Sequence, residues 1–349
     1  MPNKQDLQPN RFWDSKKILS ITATIILVAL LVGGGVYLVT ERYYKNLLTE
    51  AHPIFSPTTQ YKFLHPLIGI ALPGDQFGNG FPDARSEIQS YMTALPAGTF
   101  TRYAIYLRDL NTGNWTGINQ DDLYYPASML KVVVAIAAYR QGEDDPTYLS
   151  NSLTYTPAIA QINVQLPFAL TTDMQVGESY PVPVLIQKAL TDSDNGAVYT
   201  LLQSINQQEL NQVYSDLSIP VPSDTDSTSY KISAREYSRF FRILYNGTLS
   251  LRWADSEQIL EDLSQATFSS GLVAGVPTTT PVAHKYGEHV SGSNGVVNDI
   301  ELSDCGIVYY TPHPYFLCVM TEGNNQSSLE SIIQQISKVV YQKISSGQN

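Results

Sequence analysis

The sequence predicts a mixed α/β chain of the α+β kind. An antiparallel sheet is flanked by helices, has a helical subdomain, and follows one transmembrane helix. Three observations predict this. The patterned segments run helix, two strands, a helical middle, several strands, helix. The strand-like runs are joined by short turn signals, which favour hairpins and so antiparallel pairing. Residues 18–40 contain no charged side chain.

Composition bounds the possibilities. The chain has 349 residues, enough for one large or two ordinary domains. Hydrophobic residues make up 43%, which supports a sizeable core and excludes a disordered chain. The balance of 21 basic to 32 acidic residues, net −11, argues against a nucleic-acid partner. With 2 Cys, 5 His and no His-Glu-x-x-His or Cys-x-x-Cys pattern, no metal site or cofactor is expected. The 23 Tyr residues, among many small polar ones, suit a domain outside the cytoplasm.

As a helix, residues 18–40 would span about 34 Å, against about 30 Å for the bilayer core. The run is too long for a signal peptide, and no Ala-x-Ala site follows it. An uncleaved anchor is expected. Lys4, Arg11, Lys16 and Lys17 precede it and place the N-terminus in the cytoplasm. The expected organisation is a cytoplasmic tail at 1–17, a plasma-membrane anchor at 18–40, a stalk at 41–82 and an extracytoplasmic domain at 83–349. The lipid bilayer is then a partner through residues 18–40. Pro53, Pro57, Pro66, Pro73 and Pro82 forbid long helices in the stalk, whose apolar patch at 67–72 is expected to pack on the domain.

The elements follow in order. Residues 83–95 read as a helix capped by Asp83, with Ile88, Tyr91, Met92 and Leu95 on one face. A strand at 103–110 turns at Asn111-Thr112-Gly113-Asn114 into a partner at 115–118. Residues 129–139 read as a buried helix. Helices are expected at 184–190, 197–205, 208–217 and 234–245, the last stopped by Asn246-Gly247. Strands at 282–286, 296–302, 306–310 and 315–320 precede a final helix at 328–343.

Three short motifs can carry chemistry. Ser128-Met129-Leu130-Lys131 puts a hydroxyl and an amine one helical turn apart. An amine in so apolar a setting loses its proton easily and can take one from Ser128. Ser193-Asp194-Asn195 lies between two helices, where Ser193 could relay a proton and Asn195 could hold a carbonyl. Lys285-Tyr286-Gly287 lies on a strand, where the glycine leaves room for a ligand along the backbone. Singly, each motif reads equally as a helix cap, a capping turn and an ordinary strand.

In this order and spacing, the three resemble the Ser-x-x-Lys, Ser-Asp-Asn and Lys-Thr-Gly set of class A β-lactamases and penicillin-binding proteins. Val176-Gly177-Glu178, Tyr180-Pro181-Val182, Leu185-Ile186 and Leu190 to Asn195 are similar to that family's lead into its second motif. The resemblance covers about residues 83–345 and implies a β-lactamase/transpeptidase-like fold. It makes Ser128 the acylated nucleophile and Lys131 its general base or part of the proton relay, and has Ser193 pass a proton to the leaving nitrogen. Asn195 would hold the substrate amide, and Lys285 would attract its carboxylate. Tyr286 and Gly287 would line the substrate strand. The backbone N–H groups of Ser128 and Glu288 would form the oxyanion hole. The implied substrate is a β-lactam or a peptidoglycan-type peptide. A D-alanyl peptidase or a non-catalytic binding module on the same fold remain alternatives.

Two departures stand out. Tyr286 occupies the place of a small hydroxyl residue, and a phenol on a strand is expected to point its oxygen elsewhere. No Glu lies between Glu209 and Glu236, where class A enzymes carry the Glu that activates the deacylating water. Asp224 or Asp226 could substitute, or act only as turn residues. Slow deacylation is therefore expected. His284 and His289 flank the third motif as possible donors. Cys305 and Cys318 flank a turn and either pair as a disulfide or stay as buried thiols.

Overall fold

The computed structural model describes residues 24, 34, 61–64, 81–165, 172–222, 229–248, 251–293 and 296–347. The chain divides into two units, Met1–Ser56 and Pro57–Asn349. Of the first, only Thr24 and Gly34 are described, both helical. Among the described residues no helix is long and apolar enough to cross a membrane. This corrects the transmembrane helix, the bilayer partner and the plasma-membrane, single-pass placement expected from residues 18–40. A span needs about 20 consecutive apolar residues in one helix. Apart from Thr24 and Gly34, the segment lies outside the described residues, as do the patch at 67–72 and both Asp224 and Asp226.

In the second unit, Phe63 joins the main core, and the Glu257 carboxylate accepts the N–H groups of Lys62, Phe63 and Leu64. Helix α1, Pro82–Ala94, buries Ala84, Ile88 and Met92. Its N-cap is Phe81 in a left-handed conformation with no side-chain cap, so Asp83 sits inside the first turn. There its charge favours the helix dipole. The hairpin β1, Arg102–Asp109, and β2, Trp115–Ile118, follows. A short strand β3, Leu123–Tyr124, leads into a 3-10 turn, Ala127–Leu130, and helix α2, Lys131–Asp144. The first nine residues of α2 are all buried, as their apolar run requires.

The helical middle starts with β4, Ser152–Thr154, and α3, Pro157–Gln165. Strand β5, Ser179–Pro181, pairs with β4. Helices α4, Val182–Thr191, α5, Asn195–Leu202, and α6, Gln207–Asp216, come next. Strand β6, Ile232–Ser233, pairs with β3 and opens α7, Ala234–Asn246. A capping box at Ser233 and Glu236 starts α7, and Gly247 ends it at φ 57°. Helix α8 is Trp253–Ser264.

The chain then returns to the sheet with β7, Val282–Ser293, β8, Val296–Val308, and β9, Tyr315–Gly323. Helix α9, Gln326–Ser345, closes the fold. The five-stranded sheet has the order β2-β1-β9-β8-β7, and every neighbouring pair is antiparallel. Strand β7 is thus an edge. One core lies between the sheet and the helical subdomain, the other between the sheet and α1 and α9.

Residues 296–308 form one strand where two were expected. The apparent break, Ser303-Asp304, is polar but fully buried. Asp304 accepts from Leu272 N–H at 2.8 Å and pairs with His284 Nδ1 at 2.7 Å, so the strand carries a satisfied carboxylate through the core.

Candidate functional site

The site lies at the seam between sheet and helical subdomain. Ser128 sits in the 3-10 turn, and no side-chain cap is made at the entrance of α2. Its neighbour Ala127 has φ 45°, a left-handed conformation disfavoured for a non-glycine residue. Three contacts hold this turn. Tyr237 Oη donates to Met129 O at 3.0 Å. The Tyr125 N–H donates to the Glu301 carboxylate at 2.6 Å. Gly287 presses on it from β7, where an added Cβ would lie 2.3 Å from Pro126 O. The sheet backbone can therefore reach the nucleophile turn only with glycine at 287.

Ser193 lies between α4 and α5, also left-handed at φ 57°. Asp194 is the N-cap of α5 and accepts from Ala197 N–H at 3.0 Å. The middle residue of this motif thus caps the helix, while its two neighbours face Lys131.

Lys131 is only 5% exposed. Its Nζ lies 3.0 Å from Ser128 Oγ, 3.2 Å from Ser193 Oγ and 2.6 Å from Asn195 Oδ1, and it donates to the Ser193 carbonyl. Burial, and then the nearby Lys285, hold its ammonium well below the usual lysine range, with Asp194 opposing. The Ser193 carbonyl and the Asn195 amide oxygen can only accept. In the neutral form that burial favours, the amine can spend its two N–H bonds on them and turn its lone pair to the Ser128 hydroxyl, as a base would.

Lys285 projects from β7 onto the same hydroxyl. Its Nζ donates to Ser193 Oγ at 2.9 Å. Lys285 is 1% exposed, and burial pushes its pKa down to about 7 against the pull of Asp304. Ser128, Lys131, Ser193, Asn195 and Lys285 form one connected hydrogen-bonded set. Tyr286 was expected to point its oxygen away from the small-hydroxyl position. Its side chain starts on the opposite sheet face and stacks on Phe268, with centroids 4.2 Å apart. Lys285 Nζ lies 4.6 Å from the ring centroid.

Glu288 is half-buried, its carboxyl raised by burial and by Glu330. His289 stacks on Tyr125 at 4.1 Å, and His284 is turned away to Asp304. Cys305 and Cys318 are joined across directly opposed positions of β8 and β9. Cys305 also stands opposite Lys285. Sequence reasoning missed Tyr125, Phe268, Glu301 and Asp304. The available signal for Glu301 was its place between Ile300 and Leu302, whereas Asp304, beside Ser303, carried none. Among the described residues no cluster of His, Cys, Asp or Glu could hold a metal.

A family model described as the β-lactamase enzyme family matches residues 84–344. The chain belongs to that family. It is a member of the serine-hydrolase/β-lactamase superfamily by fold and remote similarity. Among curated proteins no relative is detected. Solved structures share the fold at low identity. PBP-A is 19% identical over 82% of this chain and 99% of its own, with a TM-score of 0.62. A class A β-lactamase from Mycobacterium abscessus is 19% identical over 75% and 99%, TM-score 0.62. The extended-spectrum β-lactamase TLA-3 is 16% identical over 76% and 99%, TM-score 0.64. A mutant of PBP-A was solved as its acyl-enzyme complex with penicillin-G.

Proposed function

We propose that the chain is an acyl-transferring serine hydrolase, with Ser128 as the nucleophile. The observation that carries this is Lys131 Nζ, buried and 3.0 Å from Ser128 Oγ, with its N–H bonds directed to acceptor-only oxygens. Ser128 Oγ attacks the substrate carbonyl as its proton passes to Lys131. The developing oxyanion is received by the N–H groups of Ser128 and Glu288. The proton then moves through Ser193, held by Lys285, to the leaving atom. Asn195 shares Lys131 with the nucleophile and positions the substrate amide.

The acyl donors of this reading are activated amides and esters; a mutant of PBP-A, a protein of the same fold, was solved acylated by penicillin-G, which makes that compound a natural probe. Deacylation is slow in this reading, because no Glu lies between Glu209 and Glu236 to activate a water. The test is intact mass of the full chain after incubation with penicillin-G and with an uncharged activated ester, beside Ser128→Ala. An acyl-sized gain absent from the variant, and persisting for minutes or longer, is expected. No gain with either donor overturns the reading. Rapid loss of the adduct with release of product overturns slow deacylation.

A further inference from the structure

The proton relay at Ser193 has a leaving-group side, and the side chain that walls it is Tyr286; this deepens the acyl-serine reading and rests on it. The hydroxyl that returns the proton must touch the departing atom. Ser193 Oγ therefore marks where the leaving group lies, and the Tyr286 ring stands next to it, its centroid 4.6 Å from the Lys285 Nζ that donates to that hydroxyl at 2.9 Å.

The wall has a definite chemistry. The Tyr286 ring lies nearly parallel to Phe268, at 19°, and gives a broad aromatic face. Lys285 is covered by that ring, with Nζ 4.6 Å from the centroid, and is itself 1% exposed. Behind the ring the charge is negative. Asp304 stands directly opposite Tyr286 across the β7–β8 ladder, and its oxygens are held by Leu272 N–H and His284. Glu288 follows two residues further along β7. Both carboxylates, after burial itself, raise the pKa of the phenol, so a negative charge placed at that oxygen is disfavoured. A substrate carboxylate on this side would meet an aromatic face backed by two acids, with the ammonium roofed over. It would lose its hydration without gaining an ion pair.

We propose that Tyr286 sets leaving-group specificity, so that the chain takes esters and amides whose leaving group carries no carboxylate and discriminates against those that end in one. In the reaction, the Ser128 Oγ–acyl carbon bond forms and the bond to the leaving oxygen or nitrogen breaks. The Ser128 proton ends on that leaving atom through Lys131 and Ser193. Penicillin-G, whose leaving nitrogen carries a carboxylate on the neighbouring carbon, falls in the disfavoured class.

The test uses two acyl donors with the same acyl group, phenylacetyl-glycyl esters of lactic acid and of lactamide. They differ only in a carboxylate or an amide on the leaving group. Second-order acylation rates are measured on the full chain. The lactamide donor is expected to react at least 10-fold faster. Tyr286→Thr is expected to bring the ratio to within about threefold of one, and Tyr286→Phe, which keeps the ring, to preserve most of it. A wild-type ratio near one, or one favouring the carboxylate, overturns this inference while leaving acyl transfer intact. So does a ratio that Tyr286→Thr does not move. Failure of both donors to acylate Ser128 overturns the acyl-serine reading itself.

Discussion

Lys131 and Lys285 share one hydroxyl, and the proposed acyl transfer asks opposite protonation states of them. Lys131 must be neutral to accept the Ser128 proton, and burial favours that state. Lys285 must be charged to hold Ser193 through a strong N–H donation, and its pKa of about 7 means the proton is lost as pH rises through that value. The acylation rate is therefore expected to fall on the alkaline side with a limb near pH 7. Lys285→Met should remove the limb along with most of the rate. A flat profile from pH 6 to 9 would contradict the role given to Lys285. Lys131→Met should slow acylation by at least about 100-fold, the usual share of a general base. The readout is the initial rate of adduct formation.

At the scale of the element, two contacts decide whether the site assembles. Strand β7 and the nucleophile turn touch at Gly287, where a Cβ would meet Pro126 O at 2.3 Å and Met129 Cγ at 2.9 Å. The first of these is backbone and cannot rotate away. Gly287→Ala is expected to cost about 1–3 kcal/mol through overpacking, seen as a lower denaturation midpoint, and to suppress acylation by displacing the turn. Helix α7 supplies Tyr237, which anchors Met129 O from the other side. Its start depends on the reciprocal hydrogen bonds of Ser233 and Glu236. Ser233→Ala should cost about 1 kcal/mol in denaturant titration. An unchanged midpoint would show that packing alone holds α7.

Across the whole molecule, one row of ionisable side chains crosses the sheet beside the site. His289, Glu301, Glu322 and Arg102 stand in register on β7, β8, β9 and β1. With Tyr125, Lys231, Ser291 and Asp299 they line a cavity of about 430 Å³. Arg102 bridges Glu301 and Glu322, and Glu301 in turn holds the Tyr125 N–H. Asp299 and Glu322 line this cavity together. Burial and the two glutamates push the Asp299 carboxyl to about 6, whereas the bond from Arg102 helps hold Glu322 below its usual value. The sign for Asp299 follows from proton affinity. The folded chain binds that proton more tightly than the unfolded one, so the stability it contributes is full below about pH 4 and is lost as pH rises through about 6. Asp299→Asn removes the repulsion that appears there. Its Tm relative to wild type should be higher at pH 7.5 than at pH 4.5, and a pH-independent difference would rule out the raised Asp299 carboxyl.

By itself, the sequence determined the α+β class of the second unit, the stop of α7 and the order of the three motifs, because these are local. Periodicity marks α1 and the hairpin, Gly247 supplies the positive φ that ends α7, and Ser128 and Lys131 are one turn apart on any helix. The tertiary structure decided everything that depends on contacts between distant segments. Lys131 meets Ser193 across 62 residues, and Lys285 meets it across 92. Asp304 reads as a strand break in the chain. It becomes part of a continuous strand only because His284 and Leu272 N–H meet it in the core. Tyr286 reads as a side chain pointing away, and only the fold shows its ring stacked on Phe268 with Lys285 Nζ 4.6 Å from its centroid. Spacing along a chain fixes which residues share a turn. Burial and the register of neighbouring strands fix which charges and hydroxyls share a proton.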